Sequence, residues 1–200
     1  MLRARGYLNR VSASLDGGRY ELNSSLSRVS SGYLVDWKYA FGPSNQLTVF
    51  NKTNHTRFVG DLNINSFDSR VYGLNKLFIL PGGNSLINAS LLYGEENGVN
   101  GRADGNKYFH GLRLMAMQKL TPKWDAGLMV GKMSADYKKE NASFLTKRAD
   151  TTEDLGIFSN YRIDSKTLIS MTISKINNSS NIALYDFIRT EYLLKLRREF

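Results

Sequence analysis

The sequence predicts an all-β fold, an antiparallel up-and-down transmembrane β-barrel that occupies residues 1–200 as one domain. Three observations predict it. Apolar and polar residues alternate with a period of two over most of the chain, and the alternating segments are about ten residues long. Short connectors alternate with long connectors between these segments. Helical spacing is not sustained anywhere.

The alternation gives each predicted strand one apolar side and one polar side. Tyr33, Val35 and Trp37 point one way in the clearest segment, and Asp36 and Lys38 point the other way. The last segment repeats the pattern, with Ile188, Tyr192, Leu194, Leu196 and Phe200 on one side and Arg189, Glu191, Lys195, Arg197 and Glu199 on the other. We count about 11–12 strands of a length that crosses a bilayer when tilted.

The connectors fall into two alternating classes. Residues that suit tight reversals occur at 16–18, 42–45, 81–84, 121–123 and 164–166. Longer polar stretches occur near 54–66, 95–106, 138–149 and 177–186. An up-and-down meander places every second connection at the same rim, so one rim is expected to carry short turns and the other long loops, as in bacterial outer-membrane barrels.

Two features of the amino terminus predict missing segments. The first strand is expected to end near Leu15. This makes the strand count odd and places the start of the chain at the rim with the long loops, whereas single-chain bacterial barrels have an even number of strands. Residues 1–7 contain no apolar core of a secretory signal, although an outer-membrane protein must be exported. We expect one or more strands to precede Met1.

A membrane barrel explains the apolar side better than a soluble sandwich does. No run of about eighteen apolar residues is present, so a membrane helix is excluded. Aromatic residues lie near predicted strand ends, where headgroup-level girdles lie in barrels: Tyr33, Phe41, Tyr93, Tyr108, Trp124, Tyr161, Tyr192 and Phe200. The opposite side carries many charges, which a dry core could not hold unpaired.

The composition argues against several other classes of protein. The net charge is +9, from 27 Lys+Arg and 18 Asp+Glu, but the basic residues are spread mostly singly, so no nucleic-acid partner is expected. The absence of cysteine excludes disulfides and thiolate sites. His55, in a loop-like stretch, and His110, within a strand, have no recognisable nucleophile motif beside them. We therefore expect no enzyme, no cofactor and no metal site.

The carboxy-terminal segment carries two resemblances. An amphipathic last strand that ends in an aromatic residue resembles the signal read by the barrel assembly machinery, with Tyr192, Leu194, Leu196 and Phe200 as its residues. Residues 148–150, 180–191 and 194–200 resemble the barrel domain of the surface lipoprotein assembly modifiers, the Slam proteins of Gram-negative bacteria. The pattern departs from that family at two positions. At Lys195 the family tends to glycine, and Ile188 also differs from the family pattern.

The family resemblance implies an outer-membrane barrel of about fourteen strands. It also implies a preceding periplasmic helical-repeat domain and a role in delivering lipoproteins to the cell surface. The expected partners are outer-membrane lipids, the assembly machinery and lipoprotein clients. The family-motif residues are expected to fix the last loop against the barrel wall, with Asp186 pairing Arg189, and with Arg148 and Asp150 meeting lumen charges; Asn181 and Tyr185 complete the set. A passive pore and a soluble all-β binding module remain alternatives.

Overall fold

Antiparallel strands hold most of the residues that the structure describes. The structure, a computed structural model, describes residues 9–22, 25–101 and 105–199. Ten strands form one sheet in which each strand pairs with its chain neighbour, in the order β1 to β10. The strands are β1 Asn9–Leu22, β2 Ser25–Ala40, β3 Asn45–Phe58, β4 Phe67–Ile79, β5 Ser85–Gly98, β6 Lys107–Thr121, β7 Trp124–Glu140, β8 Lys147–Arg162, β9 Thr167–Ser180 and β10 Phe187–Arg198. The predicted all-β, up-and-down antiparallel fold is confirmed.

The sheet is open over the described residues. β1 and β10 are its two edges and are not paired with each other. Two short 3-10 turns, Gly60–Asn65 and Ala183–Tyr185, lie in the connections. Within the described ranges, no helix is long and apolar enough to cross a membrane.

The predicted turn at 16–18 is wrong, and with it the odd strand count. Asp16 pairs with Gly32 and Gly17 with Ser31, so these residues lie inside β1, which continues to Leu22. The Asp-Gly-Gly sequence suits a reversal, but glycine also fits an extended ladder, and here backbone pairing with β2 prevails. The described residues therefore form ten strands, an even number.

Both ends of the described meander lie at the same rim. Asn9 pairs with Tyr39, next to the short turn after β2, and the Glu199 amide donates to the Lys166 carbonyl at 2.9 Å, beside the turn after β8. The expectation that the first strand starts at the loop rim is therefore wrong. We call this rim, formed by the short connections at 41–44, 80–84, 122–123 and 163–166, the short-turn rim.

Long connections occupy most of the opposite rim, as predicted, but β1 ends at Leu22 and β2 already begins at Ser25 there, and the strands extend further towards this rim. The loops lie at 59–66, 99–106, 141–146 and 181–186. Strand lengths run from 12 to 17 residues instead of about ten. Polar residues at the strand ends remain in the backbone ladder, since its hydrogen bonds do not depend on side-chain hydropathy. We call this the loop rim.

Ladder partners share a side of the sheet, so the register sorts the side chains into two faces. The apolar face carries Trp37, Leu74, Leu91, Leu128 and Ile157. Of these, Leu91 is 53% and Ile157 58% exposed, and no second layer of described residues covers them. The described strand aromatics predicted for girdles lie on this face: Tyr33, Tyr93, Tyr108, Trp124, Tyr161 and Tyr192.

The opposite face is mixed rather than uniformly polar, which corrects the sequence prediction. It holds buried carboxylates, such as those of Asp36 and Asp125. It also holds phenylalanines that pair directly with glycines on the next strand: Phe50 with Gly73, Phe109 with Gly94 and Phe158 with Gly127. The rings lie over the glycines instead of reaching a second layer. We call this side the mixed face.

Candidate functional site at the last loop

The loop between β9 and β10 is held by contacts with β7, β8 and the loop that joins them. It spans residues 181–186 at the loop rim and contains the Ala183–Tyr185 turn. Ile182 is only 3% exposed, one of two apolar residues buried among the described ones. Since the described residues form no second layer over the sheet, this burial marks the loop as a specifically packed element.

Arg148 is the centre of these contacts. Its guanidinium carbon lies 3.4 Å from the ring centroid of Tyr185 and 4.7 Å from that of Tyr137. Its Nε donates to Asp150 Oδ1 at 2.9 Å, and its Nη2 lies 2.6 Å from Asp150 Oδ2, a bidentate pair. A planar guanidinium can stack on rings and bind a carboxylate at once. Arg148 therefore joins the last loop to β7 and β8.

Amide side chains complete the attachment of Tyr185. Asn141 Nδ2 donates to the Tyr185 hydroxyl at 3.2 Å, and Asn178 Nδ2 donates to the Tyr185 carbonyl at 2.8 Å. Thr152 in turn donates to Asn178 Oδ1 at 2.6 Å. Asn141 and Asn178 are both buried, so these bonds satisfy groups that would be costly to leave unpaired.

Asn181 and Asp186 fix the two ends of the loop. Asn181 accepts from the Ala149 amide and donates to the Lys147 carbonyl, both at 2.8 Å, so its side-chain amide continues the backbone ladder of β8. Asp186 Oδ1 accepts from the Ser180 amide. The structure thus brings Arg148, Asp150, Asn181 and Tyr185 into one cluster.

Two predicted pairings differ in the structure. Arg189 Nε lies 2.9 Å from Glu191, and its guanidinium lies 5.3 Å from the Phe187 ring, so the predicted Arg189–Asp186 pair is wrong. Arg189 and Glu191 lie two residues apart on the same side of β10, whereas Asp186 is engaged with Ser180 across the loop. Arg148 and Asp150 pair with each other rather than with separate charges.

The predicted assembly residues lie on the free edge strand. Tyr192, Leu194 and Leu196 share the apolar face of β10 and are each more than 70% exposed. Phe200 lies outside the described residues. β10 has a neighbour on one side only, so its outer backbone edge can accept another strand.

The mixed face next to this edge forms a hollow of about 510 Å³. Its lining includes two ion pairs, Arg113 with Asp154 at 3.1 Å and Arg189 with Glu191 at 2.9 Å. Apolar side chains lie between the charges: Met129, Met133, Ile176 and Phe187. The hollow is amphipathic, with adaptable methionine side chains. Within the described residues, no group of three metal-ligating side chains lies close enough to hold an ion.

Sequence reasoning missed several members of the cluster. Tyr137 lies on the mixed face, opposite Lys107, where alternation predicts a polar residue. Asn178 and Ile182 carry no pattern that distinguishes them from solvated loop residues. The prediction that His55 lies in a loop is wrong, because His55 lies within β3, whereas His110 lies within β6 as predicted, on the apolar face beside Tyr93.

Compared with known protein families, curated proteins and solved structures, the chain matches none of them. A function for this chain is therefore inferred from its fold, from the geometry of the last loop and from the sequence resemblance of that region.

Proposed function

We propose that the chain is the barrel part of an outer-membrane protein that assists the delivery of lipoproteins to the cell surface. The observation that carries the membrane part is the apolar face. Its large exposed side chains continue across the strands without a covering layer in the described residues, and exposed apolar patches beyond a few hundred Å² mark contact with a partner or a membrane.

The dimensions of the apolar face suit a lipid bilayer. Along β7 it runs from Trp124 to Val130, and Lys132 follows on the same face. The apolar run from Trp124 to Val130 spans about 20 Å along the strand before tilt, which is most of the ~25 Å apolar band of outer-membrane barrels. Aromatic pairs occur towards both rims, Trp124 with Tyr161 and Tyr72 with Tyr93.

The lipoprotein part rests on the resemblance of the last loop and strand to the Slam barrels. The arrangement of those residues supports it, because the Arg148 cluster holds the loop beside the edge strand β10 and the amphipathic hollow. A client that is both polar and acylated would meet ion pairs and methionines on the same surface. The proposed function needs no cofactor and no enzyme chemistry.

Fractionation tests the location. We expect the protein in the outer-membrane fraction, resistant to alkaline carbonate and released by detergent. Recovery in the soluble extract would overturn the membrane assignment and favour an all-β binding module.

Gene deletion tests the role. Loss of the gene is expected to reduce the amount of lipoprotein that added protease digests on intact cells, and complementation is expected to restore that amount. The total lipoprotein level of the cells is the control. Unchanged surface exposure would reject the lipoprotein role. Large steady conductance of the refolded protein in planar bilayers would then favour a passive pore.

A further inference from the structure

A serine, a histidine and an aspartate from three neighbouring strands lie in one row on the apolar face, near the loop rim. Ser31 of β2 is the ladder partner of His55 of β3, and His55 is the ladder partner of Asp68 of β4. Opposed residues in antiparallel strands hold their Cβ atoms about 4.5–5.5 Å apart. The backbone therefore orders these side chains as Ser, His, Asp.

The histidine and the aspartate are already joined. His55 Nδ1 lies 2.8 Å from Asp68 Oδ1, and Arg57 Nη2 lies 2.7 Å from the same oxygen. In Ser-His-Asp hydrolases the carboxylate binds the Nδ1–H of histidine and leaves Nε2 to accept the serine proton. The observed bond is the one that this tautomer requires.

The serine is accessible and uncommitted. Ser31 is exposed, and its hydroxyl makes no hydrogen bond within the described part of the chain. Its other ladder partner is Gly17, beside which an added Cβ would meet only the Ser30 carbonyl, at 3.7 Å. A substrate carbonyl therefore has room above β1. Bonds between nucleophile and base often close only in the substrate complex.

An unpartnered buried hydroxyl lies beside this row. Thr53 is 6% exposed, and its Oγ1 has no hydrogen-bond partner among the described atoms. Its register position is on the apolar face between Tyr33 and Arg70, one step towards the short-turn rim from His55. Because this oxygen has almost no accessible surface, a substrate cannot reach it, and the Thr53 side chain contributes packing beside the row rather than a contact with substrate.

The surroundings indicate the substrate class. Leu15, Tyr33 and Val35 form an exposed apolar surface on the short-turn side of Ser31. On the same face, Arg70 adds positive charge near the row, as does Arg19, whose Nη2 lies 3.7 Å from Glu21 Oε1. An acyl chain fits the apolar surface, and an anionic group fits the cations.

We propose that Ser31, His55 and Asp68 form a catalytic triad that hydrolyses acyl esters of anionic amphiphilic lipids. Ser31 Oγ attacks the ester carbonyl carbon while His55 Nε2 takes the hydroxyl proton. The ester C–O bond breaks, and His55 gives the proton to the leaving alcohol. Water, deprotonated by His55, then attacks the acyl carbon; the bond between that carbon and Ser31 Oγ breaks, His55 returns the proton to Ser31 Oγ, and the fatty acid leaves. Asp68 holds the imidazole in position throughout.

The test measures fatty acid release from phosphatidylglycerol in mixed detergent micelles by the purified full chain, with the diether analogue as a blank. We expect Ser31→Ala and His55→Asn to lose about 100-fold or more of the wild-type rate. Matched controls are Ser30→Ala, the adjacent serine on the mixed face, and His110→Asn, the other histidine on the apolar face. Both should retain the rate.

Two further measurements keep the proposal falsifiable if a variant misfolds. A fluorophosphonate probe should label wild-type protein at Ser31, as located by peptide mass spectrometry. Asp68→Asn should lower kcat with little change in KM, because the amide cannot hold the His55 tautomer that the carboxylate selects. Release no faster than the blank, equal rates for Ser31→Ala and wild type, or labelling elsewhere would overturn the triad. Lipoprotein exposure is assayed separately, so the two proposals can fail independently.

Discussion

Arg113 and Asp154 form an ion pair across an intervening strand. The Arg113 Nη2 and Asp154 Oδ1 atoms lie 3.1 Å apart on the mixed face, although β7 separates their strands. Gly131 of β7 is the ladder partner of both residues. A Cβ added at Gly131 would lie 2.3 Å from the Asp154 oxygen, so the contact depends on the missing side chain.

Gly131→Ala is predicted to break this contact and to destabilise the sheet by about 1–3 kcal/mol. Most of the effect should come from the steric clash, because the Arg113 side chain is 56% exposed and exposed ion pairs contribute little. Urea unfolding of the refolded protein measures it. The control is Gly17→Ala, because a Cβ added at this strand glycine would meet no atom closer than 3.7 Å. Equal losses of unfolding free energy in both variants would contradict the prediction.

A double-mutant cycle on Phe50 and Gly73 should be strongly non-additive. The Cβ of Gly73→Ala would meet the Phe50 ring at 2.2 Å, so this change forces the ring away, at a cost of about 1–3 kcal/mol. Phe50→Ala alone uncovers the glycine and loses apolar contact. In the double variant the new methyl group fills part of the vacated space. Unfolding free energies that add within about 0.5 kcal/mol would show that ring and glycine do not interact.

Arg148→Lys is predicted to loosen the last loop. Lysine keeps the charge beside Asp150 but cannot stack its head group between the Tyr137 and Tyr185 rings or bind the carboxylate bidentately. We expect chymotrypsin to cleave at Tyr185 about 5–30-fold faster, which corresponds to a loss of about 1–2 kcal/mol in loop closure. The neighbouring exchange Lys147→Arg should leave the rate unchanged; an unchanged rate for Arg148→Lys would refute the clamp.

The turn between β8 and β9 should be pH-sensitive through Asp164. Its carboxylate accepts hydrogen bonds from the amides of Lys166 and Thr167, each at 2.8 Å, and the Lys166 amide is the main cause that lowers the pKa of Asp164. Because folding lowers this pKa, the carboxylate stabilises the turn at pH values above its ordinary pKa, and the effect is lost as the pH falls through the lowered value. The protection factor of the Lys166 amide, its intrinsic exchange rate at a given pH divided by its observed rate, should therefore fall in acid.

Carboxyl NMR titration measures the pKa of Asp164 directly, and Asp164→Asn provides the control because its amide oxygen does not titrate in this range. The acid-dependent loss of protection at the Lys166 amide should disappear in that variant. A pKa of Asp164 at or above the ordinary aspartate value would contradict the prediction.

Alternation and turn chemistry predicted most of the architecture. Tyr33, Val35 and Trp37 share a face, and the reversals near Pro43, Pro81 and Pro122 separate strands as expected. The failure at residues 16–18 has a local cause: an Asp-Gly-Gly sequence is compatible with both a turn and a ladder, and only pairing with β2 distinguishes them. Hydropathy assigns the polar strand ends to loops because it does not report backbone hydrogen bonds.

The candidate sites were predicted less completely. Resemblance pointed to Arg148 and Tyr185 but not to Tyr137, which is separated from both in sequence and reaches Arg148 across the register of β7 and β8. Ser31 and His55 carry no local motif for a hydrolase, and sequence alone predicted no enzyme. Their relationship to Asp68 is a property of strand alignment.

The sequence by itself determined that this chain forms amphipathic strands with one apolar face, because side chains of an extended chain alternate in direction wherever the strand lies. Only the tertiary structure decided which side chains from different strands stand in one row. A shift of one residue in any ladder would move every side chain of that strand to the other face. The register of the strands therefore creates the Arg113–Asp154 pair and the row of Ser31, His55 and Asp68. Backbone pairing and loop length together set that register.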